Sequence, residues 1–244
     1  MIVKTIGSGS SGNGYALISG EDILLLECGV PAKEMLKAID YQTSMVNGCI
    51  LSHIHGDHAG YIKQYIQYGI MVYTSDEVET DVKTVMGEKT IGLQRMKRQK
   101  IGSFEVVPFH VPHGETECDG WLIDTPDGRI LFITDAEYCP YDFSKMHINY
   151  GLIECNYSMD NISFEHDEVK NRRVVQTHME VQTCKRLIQS INSESIRSIG
   201  LIHLSAENGN PQRFRDEIRS VVDSDVNVWI AEKGTEKEFR LMPF

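Results

Sequence analysis

Residues 49–52, an apolar run of the kind that forms a buried strand, lead straight into a cluster of histidines: residues 52–60 read Ser-His-Ile-His-Gly-Asp-His-Ala-Gly. No other stretch constrains the fold as strongly. Three imidazoles and one carboxylate (His53, His55, Asp57 and His58) fall within six positions. These are ligand types that zinc, manganese and iron accept, and such ions convert bound water to hydroxide near neutral pH. In an extended segment His53 and His55 point to one face, because side chains alternate with period two. Asp57 and His58 follow in a turn and can address a neighbouring point, so one short loop can serve two metals. A metal-free surface turn would account for a single histidine, but not for four ligand-type side chains following a buried strand.

The rest of the chain reads as strands first, then strands alternating with helices. Residues 2–6 and 15–18 flank a glycine–serine turn, and 23–26 form a continuous apolar run, the pattern of a strand buried on both faces. Residues 32–39 have helical spacing, with Met35, Leu36 and Ile39 on one side. Residues 104–109, 121–124 and 129–134 read as strands separated by turns, one of them Pro126-Asp127-Gly128. Residues 151–154 and 199–204 repeat the apolar pattern, with a charged, helix-prone region at 165–191 between them. A further helix starts at Pro211, a residue suited to a first helical turn, and runs to Val222. This order predicts an α/β chain whose sheets are covered by helices on their outer faces.

With 244 residues there is material for one large domain, 1–244, with a well-buried core. No apolar stretch reaches the length of a membrane span, and the first residues lack a basic-then-apolar leader. The six cysteines form no CxxC pair, which suits reduced thiols packed as small apolar groups in a cytoplasmic protein. The formal net charge of −11 would stay negative after two divalent ions bound, so the chain lacks the basic balance of a long-duplex binder. Its basic residues occur in short groups, including Arg95, Lys97, Arg98 and Lys100, and Lys170, Arg172 and Arg173. These read as solvated surface that could steer a small anion.

The HxHxDH stretch at 53–58 resembles the signature of the metallo-β-lactamase superfamily, and the resemblance runs over nearly the whole chain. It implies an αββα sandwich, two central mixed sheets flanked by helices, with the site at one edge between the sheets. Its later ligand segments are matched by His113 in Val-Pro-Phe-His-Val-Pro-His, Asp135 in Leu-Phe-Ile-Thr-Asp-Ala and His203 in Gly-Leu-Ile-His-Leu-Ser. By that resemblance His53, His55 and His113 hold one divalent ion, zinc or manganese. Asp57, His58 and His203 hold a second, and Asp135 bridges both. Glu27 in Leu-Leu-Glu-Cys-Gly stands where the superfamily has an aspartate, and supports the metal loop from behind. His110 is turned away by strand parity, and His147 and His166 read as structural or surface groups.

Fold alone does not give substrate. Gly7–Gly14 resembles the first turn of the YycJ-like and ribonuclease Z-like branches, whereas His113-Gly114-Glu115 departs from the His-Asp-Ala of the YycJ type. His178, in Thr-His-Met-Glu, matches the additional histidine of the phosphodiesterases, and Glu154, in Leu-Ile-Glu-Cys-Asn, the glutamate that orients it. The resemblance therefore implies a two-metal phosphodiesterase acting on a nucleotide or nucleic-acid phosphodiester through a metal-activated hydroxide. Asp57 or Asp135 would accept a proton, and His178, oriented by Glu154, would protonate the leaving group. A compact acidic chain without a long basic arm favours a small or cyclic nucleotide. A DNA or RNA nuclease of the YycJ type is the alternative, and a carboxylic ester, lactone or thioester hydrolase the second. No membrane association is expected, and a homodimer is the prior for the assembly.

Overall fold

The computed structural model describes residues 1–163 and 167–241. The expected alternation of strands and helices builds two seven-stranded sheets. Strands β1 (Ile2–Gly7), β2 (Gly14–Ser19) and β3 (Asp22–Leu26) are antiparallel neighbours. Helix α1 (Ala32–Ala38) leads to β4 (Val46–Ile50), helices α2 (Gly56–Ala59) and α3 (Ile62–Gln67) to β5 (Val72–Ser75), and α4 (Asp76–Asp81) to β6 (Ile91–Leu93). From β3 to β6 the pairing is parallel.

The second sheet starts as an antiparallel meander of β7 (Gln99–Ile101), β8 (Phe104–His110), β9 (Asp119–Thr125) and β10 (Gly128–Ile133). It continues in parallel through β11 (Tyr150–Glu154), helices α5 (Glu168–Thr177) and α6 (Val181–Ile191), β12 (Ser198–Ile202), α7 (Pro211–Arg219) and β13 (Asn227–Ile230). Strand β14 (Glu236–Glu238) crosses back to pair with β1.

Strand alternation produces the layers. In β3, Leu24 and Leu26 join Tyr15, Trp121, Phe132 and Leu152 in the core between the sheets. Ile23 and Leu25 face the other way and pack with Met35, Leu36 and Ile62 of the covering helices. On the far side, Ile153, Ile199 and Leu201 pack against Leu187, Ile188, Phe214 and Ile218 of α6 and α7. Strands buried on both faces need apolar residues at every position, which is why these segments read as continuous runs. The αββα sandwich with two mixed sheets is therefore the observed fold.

Three local differences matter for the site. The run 49–52 leaves the sheet after Ile50, and Leu51 and Ser52 continue extended, with Leu51 N–H donating to the Tyr73 carbonyl at 2.9 Å. The helix-prone region is two helices, broken where His178 adopts an extended conformation (φ −130°, ψ 158°). Arg95 is no solvated side chain: it is 16 % exposed and paired with buried Asp119 at 2.6 Å. His147 is exposed, as expected, while His166 lies outside the described residues. All six cysteines are free, and five are buried. Among the described residues no helix is long and apolar enough to cross a membrane.

Candidate metal centre

The cluster forms where strands of both sheets end. His53, His55, Asp57 and His58 lie on the segment after β4, and His113 follows β8. Asp135 and His203 follow β10 and β12, and Glu154 is the last residue of β11. Glu27, Asp135 and His203 all hold positive φ (67°, 46° and 52°). Such backbone costs about 1–3 kcal/mol per residue and persists where surrounding structure enforces it, typically at functional sites. The metal loop is tied to the first sheet by Asn13 N–H to the Asp57 carbonyl and Cys28 N–H to the His58 carbonyl, both 2.7 Å. A Cβ at Gly29 would lie 1.7 Å from that Asp57 oxygen, so glycine is required there.

One half of the cluster is built of imidazoles. His55 Nδ1 lies 3.0 Å from His53 Nε2 and 2.9 Å from His113 Nε2, and Asp135 Oδ2 is 3.6 and 3.7 Å from the same two nitrogens. His113 Nδ1 sits 2.6 Å from the Thr177 carbonyl, which only accepts, so this nitrogen carries the proton and Nε2 of the neutral ring presents a lone pair. Burial lowers the pKa of His53, His55 (to about 4) and His113, so all three are neutral at pH 7. One proton on His55 Nδ1 cannot satisfy both neighbouring nitrogens. A cation bound by all three satisfies them, and the backbone anchor on His113 is the usual support of a metal-bound histidine.

The other half is rich in carboxylates. His203 Nε2 is 3.2 Å from Asp57 Oδ2, and His58 Nε2 is 3.1 Å from Asp135 Oδ1 and 3.5 Å from Asp57 Oδ2. Burial opposes charge on His58, but Asp135 and Glu27 outweigh it and raise its pKa well above the ordinary value. His203 is likewise raised, to about 10, burial being overcome by Asp135, Asp57 and Glu154. Burial would raise Asp135, yet His203 and His58 hold it well below the usual carboxylate range. Here protons supply the positive charge that a divalent ion would supply. Glu27 Oε2 stands 3.3 Å from His58 Nδ1 and Oε1 accepts the Ser52 N–H at 3.2 Å, so the longer carboxylate does support the loop from behind.

In both halves the ligand atoms lie within 4.8 Å of one another, with Asp135 common to the two, an arrangement that fits a dinuclear site. A third group joins it. His178 Nδ1 donates to Glu154 Oε1 at 2.7 Å, and the His178 ring stacks on His203 with centroids 5.2 Å apart. Glu154 Oε2 is fixed by the N–H groups of Ala136 (2.8 Å) and Met179 (3.2 Å). Burial lowers the His178 pKa but Glu154 outweighs it, so the net shift is upward. His178 lines one cavity of about 270 Å³ with His55, Asp57, His113, Asp135 and His203.

Every residue singled out from the sequence for this site therefore comes together, and His110 stays outside, facing Glu117 at 3.7 Å. Missed were the amides Asn13, 2.9 Å from His58 Nε2, and Asn156, 3.1 Å from His203 Nδ1. The sequence signals only that Asn13 sits in the glycine–serine turn. Lys170 and Arg173, read as solvated surface able to steer a small anion, are indeed exposed, and they stand at the rim of this cavity.

The sequence profile of the beta-lactamase superfamily domain matches residues 26–203. Comparison with curated proteins gives no match. Among solved structures, the metallo-beta-lactamase fold protein YhfI from Bacillus subtilis has a TM-score of 0.74 at 22% identity, covering 97% of this chain and 98% of its own. Zinc-bound PqqB from Methylobacterium extorquens has a TM-score of 0.73 at 13% identity (98% and 100% covered). The short form of human tRNase Z has a TM-score of 0.66 at 15% identity (98% and 99% covered). The chain belongs to the beta-lactamase superfamily, and its fold is the metallo-β-lactamase sandwich.

Proposed function

We propose that this chain is a two-metal phosphodiesterase that hydrolyses a nucleotide phosphodiester, a small or cyclic nucleotide being favoured. The observation that carries the reading is the His178–Glu154 pair beside the dinuclear ligand set. His53, His55 and His113, and Asp57, His58 and His203, with Asp135 between them, are the residues that would hold the two ions. Bound zinc or manganese would supply Lewis acidity and ease the deprotonation of water. Acyl transfer from a carbon ester needs little more than this. A phosphodiester also has a poor alkoxide leaving group that must receive a proton.

His178 fits that need. Glu154 favours the protonated ring and holds Nδ1–H, which leaves Nε2–H to donate to the departing oxygen. Asp57, lowered despite burial through its hydrogen bond to His203, is ionised and can accept the proton of the attacking water. Lys170 and Arg173 on the cavity wall attract an anion, although the chain as a whole is acidic. Those same cations favour, as a second reading, a nuclease of the YycJ type working on nucleic-acid ends.

The manganese- and zinc-loaded protein is to be incubated with cyclic mononucleotides, end-labelled single- and double-stranded DNA, and a tRNA precursor. Cleavage of the nucleotides, abolished by His55→Ala, is expected. Processive loss of DNA ends would transfer the chain to the nuclease reading. His178→Ala should lower turnover by about 10²–10⁴-fold with two metals retained; unchanged turnover would remove the role.

A further inference from the structure

Helix α5 carries a face that core packing does not explain. Lys170, Arg173, Val174 and Thr177 recur at the i, i+3, i+4, i+7 spacing of one helix side, and all four, with His178 just past the helix end, line the cavity over the ligand cluster. Thr177 at the inner end of this stripe is buried, whereas Lys170 and Arg173 at its outer end are exposed cations on the cavity rim. The neighbouring side behaves differently. Arg172 borders a separate surface hollow, where it pairs with Glu168. Lys170 also lines an adjoining cavity of about 180 Å³ that shares Ser10, His178 and His203 with the first, and there it pairs with the exposed Glu207.

Two bound metals and His178 would already supply the positive charge that one reacting phosphate requires. At 1.5 Å of rise per residue, Arg173 stands about 7.5 Å along the helix from His178, and Lys170 about one turn beyond it. A phosphate reacting beside His178 thus leaves both cations facing the neighbouring position of the substrate.

We infer that Lys170 and Arg173 bind a second phosphate, so that the preferred substrate is a small nucleotide with a phosphate next to the scissile diester, such as a 5′-phosphorylated dinucleotide. The inference rests on the phosphodiesterase reading. Arg173 supplies the planar fork that suits phosphate oxygens, and Lys170 a point charge. The exposed Lys170–Glu207 pair is of a weak kind and yields to a phosphate.

The test compares a 5′-phosphorylated diadenylate with its unphosphorylated counterpart on the manganese-loaded protein. Calorimetric binding of adenosine 3′,5′-bisphosphate and adenosine 5′-monophosphate is measured in parallel. The phosphorylated dinucleotide should have a kcat/KM higher by about tenfold or more, carried by KM, and the bisphosphate should bind tighter by a similar factor. Arg173→Ala and Lys170→Ala should each bring both ratios toward one, while Arg172→Ala preserves them. Glu207→Gln should lower KM for the phosphorylated dinucleotide. Turnover and binding without preference, or a preference that survives both alanine variants, would overturn the second-phosphate site alone. Metal-loaded protein that cuts neither dinucleotide would bring down the phosphodiesterase reading with it.

Discussion

The two halves of the metal centre use the same residue types and stand in opposite states. Around His53, His55 and His113 there is a single close carboxylate, Asp135, and burial keeps all three rings neutral. Around His58 and His203 the carboxylates of Asp57, Asp135, Glu27 and Glu154 overcome burial and hold protons on both rings. The difference teaches that the halves are not equally ready for a cation. The imidazole half presents lone pairs that a metal can take directly. In the carboxylate half a metal must displace protons, so its affinity there depends on pH.

The strongest disruption should come from Asp135, which belongs to both halves. Asp135→Ala should reduce metal content from two per chain to below one. It should also destabilise the metal-free protein by about 3–5 kcal/mol, because buried imidazolium charge loses its partner. Metal analysis and chemical denaturation check this, and retention of two metals would break the shared-ligand account. Next comes loading against pH. Near pH 6 one equivalent should bind tightly, in the imidazole half, and the second should enter with proton release as the pH rises. Calorimetry in buffers of different ionisation enthalpy reads both, and two equivalent sites at pH 6 would erase the asymmetry.

Glu27→Gln should weaken only the second site, by about 10–100-fold, since Glu27 orients His58 and touches none of the other half. An equal loss at both sites would show that Glu27 merely holds the loop together.

The last comparison concerns the metal-free fold. His203, raised to about 10, and His58, also raised, contribute stability fully present below the ordinary histidine value of about 6.5. That contribution is lost as pH climbs through the folded values, near 10 for His203. His55, lowered to about 4, acts in reverse: the unfolded chain takes up its proton first, so stability falls as pH drops from about 6.5 toward 4. Chelated protein should therefore melt about ten degrees lower at pH 9.5 than at pH 6.5, and metal should remove the alkaline loss. A flat alkaline limb without metal would contradict the protonated state assigned to the second half.

The sequence made the same asymmetry only partly legible. Four ligand-type residues on one loop were readable because a strand end and a turn place neighbours in space by local rules. His113, Asp135 and His203 come from strands that pair only in three dimensions, and the family resemblance had to order them. Their protonation was beyond reach, because the Asp135–His58 contact at 3.1 Å joins residues 77 positions apart. The doubly buried strands showed as apolar runs. Strands β6, β7 and β14, of three residues each, are too short for a period to register. Lys170 and Arg173 were readable as exposed cations but not as neighbours of the site, because charge at helical spacing looks the same whether the exposed face borders open solvent or a cavity rim. Arg95 was misread similarly, its partner Asp119 lying on another strand.

All of this depends on His178 and Glu154 giving the centre its chemistry. The most direct measurement is paired release of p-nitrophenol from bis(p-nitrophenyl) phosphate and from p-nitrophenyl acetate by metal-loaded wild type and His178→Ala, with metal content determined on both. The account predicts that wild type cleaves the phosphodiester and that His178→Ala loses that activity while keeping two metals. Cleavage of the acetate alone, or phosphodiester cleavage indifferent to His178, would contradict it.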